Sequence, residues 1–102
     1  MEFVNVAIKK ELPIGKMKSV DVNGKTILLT NLRDEYYAIG DKCTHRNCKL
    51  SKGTLNGDVV KCPCHGSRFN VKTGEALGGP AVKPEPKYEI KIEDNQIQIR
   101  LQ

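Results

Sequence analysis

The residues best suited to chemistry are four cysteines and two histidines, and all six lie between Cys43 and His65. They form two groups, Cys43-Thr44-His45 and Cys62-Pro63-Cys64-His65. Each group can supply one thiolate and one imidazole to a single centre if two loops meet tip to tip. Zinc would accept such a set, but zinc sites usually keep Cys with Cys and His with His. The mixed order is the one expected where one iron of a two-iron cluster takes two Cys and the other takes two His.

The composition predicts one small domain that spans residues 1–102. Only 38% of the 102 residues are hydrophobic and 5% are aromatic, so the core must be lean. The formal net charge is +5, but the lysines are scattered and no aromatic residues alternate with them, which argues against nucleic-acid binding. We find no signal peptide and no apolar run long enough to span a membrane, so we expect a cytoplasmic protein without a membrane anchor. In that compartment, clustered Cys and His favour a metal over a disulfide framework.

Alternation of apolar and polar residues with a period of two runs through both ends of the chain and predicts β-strands. Asn23-Gly24 separates two such runs and predicts a tight hairpin, and Asp94-Asn95 separates another two. The predicted strands of this framework are 3–8, 18–22, 25–30, 35–39, 88–92 and 96–101.

The middle of the chain has a different character, because residues 40–81 are rich in Gly and Pro. Only short strand-like runs remain there, at 58–61 and 68–71. We therefore predict an all-β fold, in which an antiparallel framework of residues 1–40 and 82–102 carries an inserted cluster-binding subdomain at about 41–81.

The segments 43–50 and 62–69 together resemble the Rieske [2Fe–2S] proteins. Looser similarity extends through Leu50–Gly53, Phe69–Gly74 and Gly79–Ala81, and the segment Gly78–Ala81 resembles the loop that covers the cluster in that family. The resemblance implies one [2Fe–2S] cluster per chain. It implies that Cys43 and Cys62 bind the inner iron through sulfur, and that His45 and His65 bind the outer iron through a ring nitrogen.

The resemblance also gives roles to residues beside the ligands. Cys48 and Cys64 match the positions that form a disulfide in Rieske subunits of cytochrome bc-type complexes, whereas soluble Rieske ferredoxins usually have other residues there. The alternative for this pair is two packed, reduced thiols. Ser67 matches a serine whose hydroxyl donates to a bridging sulfide, and Phe69 replaces a tyrosine donor. We therefore expect a reduction potential between that of bc-type Rieske subunits and that of soluble Rieske ferredoxins.

The implied function is one-electron transfer without catalytic activity of its own. The first hypothesis is a soluble Rieske-type ferredoxin, a monomer that passes electrons from a reductase to an oxygenase or another oxidoreductase. The second is a small Rieske subunit of a multi-component oxidoreductase, similar to nitrite reductase or arsenite oxidase. The sequence does not name the donor or the acceptor.

Overall fold

The chain folds into two antiparallel β-sheets, and the computed structural model describes residues 3–42, 48–64, 66–79 and 83–100. Within these residues, two 3₁₀ helices lie at Lys9–Glu11 and Leu50–Lys52. The strands are β1 (Phe3–Ile8), β2 (Met17–Val22), β3 (Lys25–Leu32), β4 (Glu35–Gly40), β5 (Thr54–Asn56), β6 (Val59–Lys61), β7 (Arg68–Asn70), β8 (Ala76–Gly78), β9 (Lys87–Glu93) and β10 (Gln96–Arg100). The prediction of an all-β antiparallel fold is confirmed.

The larger sheet has six strands in the order β1-β10-β9-β4-β3-β2. The strand β3, which lies next to the edge strand β2, is buried on both faces, because successive side chains enter two different cores. Ile27 and Leu29 pack in one core with Ala38, Ile97 and Ile99 of the same sheet.

The smaller sheet has four strands in the order β5-β6-β7-β8, and all of them lie in the chain between β4 and β9. Its buried face supplies Val60 and Phe69 to a second core, which the larger sheet completes with Leu28 and Ile39. The two sheets therefore pack against each other through this second core, and the packing fixes the orientation of the smaller sheet on the framework. The subdomain limits of about 41 and 81 stay a prediction.

Three two-residue hairpin turns shape the framework. Both central residues have positive φ in each turn, as the right-handed twist of the strands favours. The turns at Asn23-Gly24 and Asp94-Asn95 were expected from the sequence. The turn at Arg33-Asp34, with φ of 55° and 69°, was not, because it contains neither Gly nor Asn.

The chain was expected to lack a membrane anchor. Among the described residues, no helix has the length and apolar character that a membrane crossing requires.

Candidate metal centre

The first predicted ligand loop leaves the framework at the end of β4. Lys42 and Lys49 form an isolated antiparallel bridge, which brings together the two residues that flank the segment 43–48. Below this bridge, the backbone N–H of Leu50 donates to the carbonyl of Asp41 at 2.6 Å. Leu50 is fully buried in the core shared by the two sheets and anchors the base of the loop.

The side chain of Asp41 holds this base together. Its fully buried carboxylate accepts hydrogen bonds from the Ser19 hydroxyl at 2.7 Å, the Ser51 backbone N–H at 2.7 Å and the Ser51 hydroxyl at 2.9 Å. Asp41 therefore ties β2 to the 3₁₀ helix that follows the loop. Sequence reasoning missed this residue, because a single aspartate beside a glycine gives no sign of burial.

The second ligand loop connects β6 and β7. Lys61 and Arg68 are cross-strand partners, and beyond them the N–H of Cys62 donates to the carbonyl of Ser67 at 2.7 Å. The N–H of Gly66 donates back to the carbonyl of Cys62 at 3.2 Å. These bonds hold the two ends of this connection together, and its first residue, Cys62, is only 2% exposed.

A disulfide between Cys48 and Cys64 joins the two loops, with their Cα atoms 6.4 Å apart. This is the pairing that the family resemblance implies. The sulfur of Cys62 lies within 4.8 Å of both disulfide sulfurs. Sulfur that is bonded in a disulfide is not a thiolate and cannot act as an anionic metal ligand. Among the described cysteines, Cys62 is thus the one whose sulfur can bind iron while the disulfide is intact.

Close packing of backbone against backbone fixes the second loop from two sides. A Cβ on Gly53 would collide with the carbonyl of Lys61, and one on Gly79 would lie 2.6 Å from the Cα of Ser67. Ser67 is fully buried beside Cys62. Phe69 is also fully buried, and its ring packs in the shared core.

The other predicted ligands, Cys43, His45 and His65, lie outside the described residues, as do Pro80 and Ala81 of the predicted covering loop. Of the predicted site, the structure brings together Cys62, Ser67 and the disulfide. The ligand set itself stays a prediction.

The comparisons with known proteins agree on one family. The family model described as "Rieske [2Fe-2S] domain" matches residues 2–91. The ferredoxin component of the naphthalene 1,2-dioxygenase/salicylate 5-hydroxylase systems of Ralstonia sp. is 36% identical over 100 residues, which covers 98% of this chain and 96% of that protein. The chain belongs to the Rieske [2Fe–2S] domain family.

Two solved structures are similar over nearly the whole chain. The ferredoxin of carbazole 1,9a-dioxygenase from Nocardioides aromaticivorans matches with a TM-score of 0.94 and 28% identity, over 100% of both chains. A chain from the complex of reduced oxygenase and oxidised ferredoxin in carbazole 1,9a-dioxygenase matches with a TM-score of 0.90 and 30% identity, over 98% of this chain and 97% of that one.

The described residues fit a [2Fe–2S] cluster. A buried cysteine sulfur, next to a buried serine and inside two crosslinked loops, is the kind of soft donor in a water-poor site that iron–sulfur centres use.

Proposed function

We propose that this protein is a Rieske-type electron carrier that shuttles electrons between a reductase and an oxygenase or another oxidoreductase. The observation that supports this most directly is the meeting of the two loops. The disulfide ties them, and the buried sulfur of Cys62 lies beside it. Matches with ferredoxin components over nearly their whole length favour a carrier over a subunit of a larger enzyme.

The proposed ligands are Cys43 and Cys62 for one iron and His45 and His65 for the other. When bound, the cluster supplies a site that takes up and releases one electron. The protein's part is to hold the ligands in place so that little reorganisation accompanies that change. Cys62 meets this need, because its backbone N–H and carbonyl are both hydrogen-bonded within the loop.

The proposed carrier catalyses no reaction by itself, and its partners are the proteins that reduce and oxidise it. The cytoplasmic location and the monomeric state stay predictions. Gel filtration of the protein from its native source separates the two hypotheses, because a carrier elutes as a small protein and a subunit elutes in a large complex.

Metal analysis of the purified protein tests the cluster itself. We expect iron and acid-labile sulfide in equal amounts, and an electron paramagnetic resonance spectrum of the reduced protein with the low average g value of His-ligated clusters. His45→Ala and His65→Ala should each abolish this spectrum, whereas Thr44→Ala, between two proposed ligands, should keep it. A colourless protein with stoichiometric zinc would contradict the proposal.

We further propose that Ser67 raises the reduction potential by hydrogen bonding to a cluster sulfur, which stabilises the added electron. Its burial beside Cys62 supports this role. Ser67→Ala should lower the potential measured by voltammetry. Thr54→Ala, which removes an exposed hydroxyl from the same sheet, should leave it unchanged. Equal potentials in all three proteins would rule out the role of Ser67.

A further inference from the structure

Each ligand loop is closed by a pair of basic residues that face each other across the loop. Lys42 opposes Lys49 at the base of residues 43–48, and Lys61 opposes Arg68 at the base of residues 62–67. Both loops contain six residues, so the two basic pairs occupy equivalent positions. Like charges directly opposite each other destabilise a sheet, and local folding alone gives no reason to keep them.

These four cations have no counter-charge in the described part of the chain. The ion pairs recorded there, Lys91 with Glu93 and Arg100 with Glu89, lie on β9 and β10. Asp41, the carboxylate next to Lys42, is fully buried, and its oxygens accept hydrogen bonds from Ser19 and Ser51. Neither the acidic residues of these ion pairs nor Asp41 therefore neutralises the positive charge around the loops.

The basic side chains reach solvent at the end of the molecule that carries the proposed cluster. Lys42, Lys61 and Arg68 are exposed, and Lys49 is partly exposed. The Arg68 guanidinium lies over Gly78, where a Cβ would be 2.6 Å from one of its nitrogens, so it is displayed on the outer face of the smaller sheet. The disulfide joins the two loops, so the basic pairs stand at the bases of two crosslinked loops.

We propose that the two pairs, Lys42 with Lys49 and Lys61 with Arg68, form a docking surface for an acidic face of a protein redox partner. The identity of the occupant rests on the proposed function. Acidic groups would relieve the repulsion within each pair, and the positive field would steer the partner to the end where electrons leave. Nucleic acid is the less favoured ligand. The three tyrosines, Tyr36, Tyr37 and Tyr88, lie on β4 and β9, and Phe69, which follows Arg68, is fully buried and cannot stack on a base.

Binding of a defined acidic probe tests the surface without depending on the cluster. The probe is a fluorescein-labelled polyglutamate peptide of about 20 residues, followed by fluorescence anisotropy at low ionic strength. We expect K42Q/K49Q and K61Q/R68Q each to weaken binding by about tenfold, and about 1 M salt to abolish binding by the wild type.

A matched control removes the same amount of charge from the other end of the molecule. Lys9 and Lys10 line the same cavity as Asp34, the residue before β4. Lys42 follows the other end of β4, about 20 Å away for a six-residue strand. K9Q/K10Q should bind the peptide as the wild type does. Equal weakening in all three double variants would show a net-charge effect only and overturn the proposal. Tighter binding of single-stranded DNA of similar length than of polyglutamate would also overturn it.

Electron transfer to small oxidants provides the functional measurement. One electron passes from the reduced protein to hexacyanoferrate(III), which becomes hexacyanoferrate(II). Each loop-pair variant should react several-fold more slowly than the wild type with this anion and faster with the cation hexaammineruthenium(III). Rates that do not depend on the loop charges would contradict the inference. Absence of iron and sulfide from the wild type would instead contradict the proposed function, and the peptide-binding result would stand.

Discussion

Asp41 stabilises the base of the first ligand loop through three hydrogen bonds to its buried carboxylate. Asp41→Asn keeps the size of the side chain but replaces one acceptor oxygen with a donor, so at least one of these bonds can form only with its direction reversed and with a neutral partner. We expect the free energy of unfolding to fall by about 1–3 kcal/mol, as for other buried groups that lose a hydrogen-bond partner. Urea denaturation of the two proteins measures the difference.

The matched control is Asp21→Asn, on the same strand as Ser19, where the side chain is exposed. This variant should change the free energy of unfolding by less than about 0.5 kcal/mol. If Asp41→Asn were equally harmless, a carboxylate at this position would stabilise the loop base no better than an amide.

Tyr88, on β9, makes the free energy of unfolding fall as the pH becomes alkaline. Burial, and secondly the negative charge of Glu85, raise the pKa of Tyr88 above its ordinary value of 10.0. Unfolding exposes the phenol and returns its pKa to about 10, so the unfolded chain releases a proton at pH values where the native protein keeps it. The contribution of Tyr88 is therefore complete below about pH 10 and is lost as the pH rises through the native pKa.

Tyr88→Phe should reduce this alkaline loss of stability. Titration of the lysines also contributes to the loss, but it is common to both proteins and cancels in the comparison. Denaturation series at about pH 8 and about pH 10.5 give the measurement, and the free energy of unfolding should fall less between the two series in the variant than in the wild type. A difference between the two proteins that is independent of pH would contradict the raised pKa.

At the level of secondary structure, the hairpin turns differ in how well their residues suit positive φ. Arg33 has a φ of 55°, which costs an ordinary residue about 1–2 kcal/mol, whereas Asn tolerates this region better. Arg33→Asn should therefore raise the free energy of unfolding by about 0.5–1 kcal/mol. The reverse change, Asn23→Arg at the equivalent turn position with a φ of 50°, should lower it by a similar amount. Thermal unfolding of both variants makes the comparison, and shifts of the same sign would refute it.

Most framework strands were predictable from the sequence because one face lies in a core and the other faces solvent, which leaves a period of two. β10 shows this clearly, with Ile97 and Ile99 buried between more exposed glutamines. The strand β3, which is buried on both faces, was indicated instead by its place after the Asn23-Gly24 turn. The strands β5 and β8 were missed. Each has three residues, too few for a period to appear, and they are fixed instead by pairing with β6 and β7.

In the candidate site, too, some residues were predictable from the sequence and others were not. Cysteine and histidine spacing, with the family resemblance, named Cys62 and the Cys48–Cys64 pair, because those residue types carry the chemistry themselves. Asp41 and Gly53 support the loops through contacts with Ser19, Ser51 and the Lys61 carbonyl, which are distant in sequence. No local sequence pattern indicates a contact between residues so far apart in the chain, so these contacts are known only from the folded structure.

For the molecule as a whole, the two sheets meet in a core that lies directly beneath the ligand loops. Leu28 and Ile39 come from the larger sheet, Phe69 from the smaller one, and Cys62 lies in the same cluster. The proposed ligand is thus embedded in the apolar contact that joins the sheets. Loss of packing between the sheets and loss of the metal should therefore occur together.

The Cys48–Cys64 disulfide is the covalent part of this connection, and it closes a loop with a sequence separation of 16. A crosslink of this length stabilises a small protein by about 3 kcal/mol in the chain-entropy estimate. Replacing both residues with Ser leaves all four proposed ligands in place and avoids a lone thiol near Cys62. We expect the double variant to bind iron, to unfold at a free energy lower by about 3 kcal/mol, and to lose its visible colour faster on heating.

Thiol titration decides whether the purified protein contains this bond. The protein is unfolded with its metal removed and no reductant present, and two reactive thiols are expected, those of Cys43 and Cys62. Wild-type protein treated with a phosphine reductant is the control. After unfolding it should yield four thiols, and before unfolding it should lose its colour on heating as fast as the double Ser variant. Four thiols without reductant would show that Cys48 and Cys64 are packed as reduced residues. Rigidity of the two loops would then depend on the metal and the shared core alone.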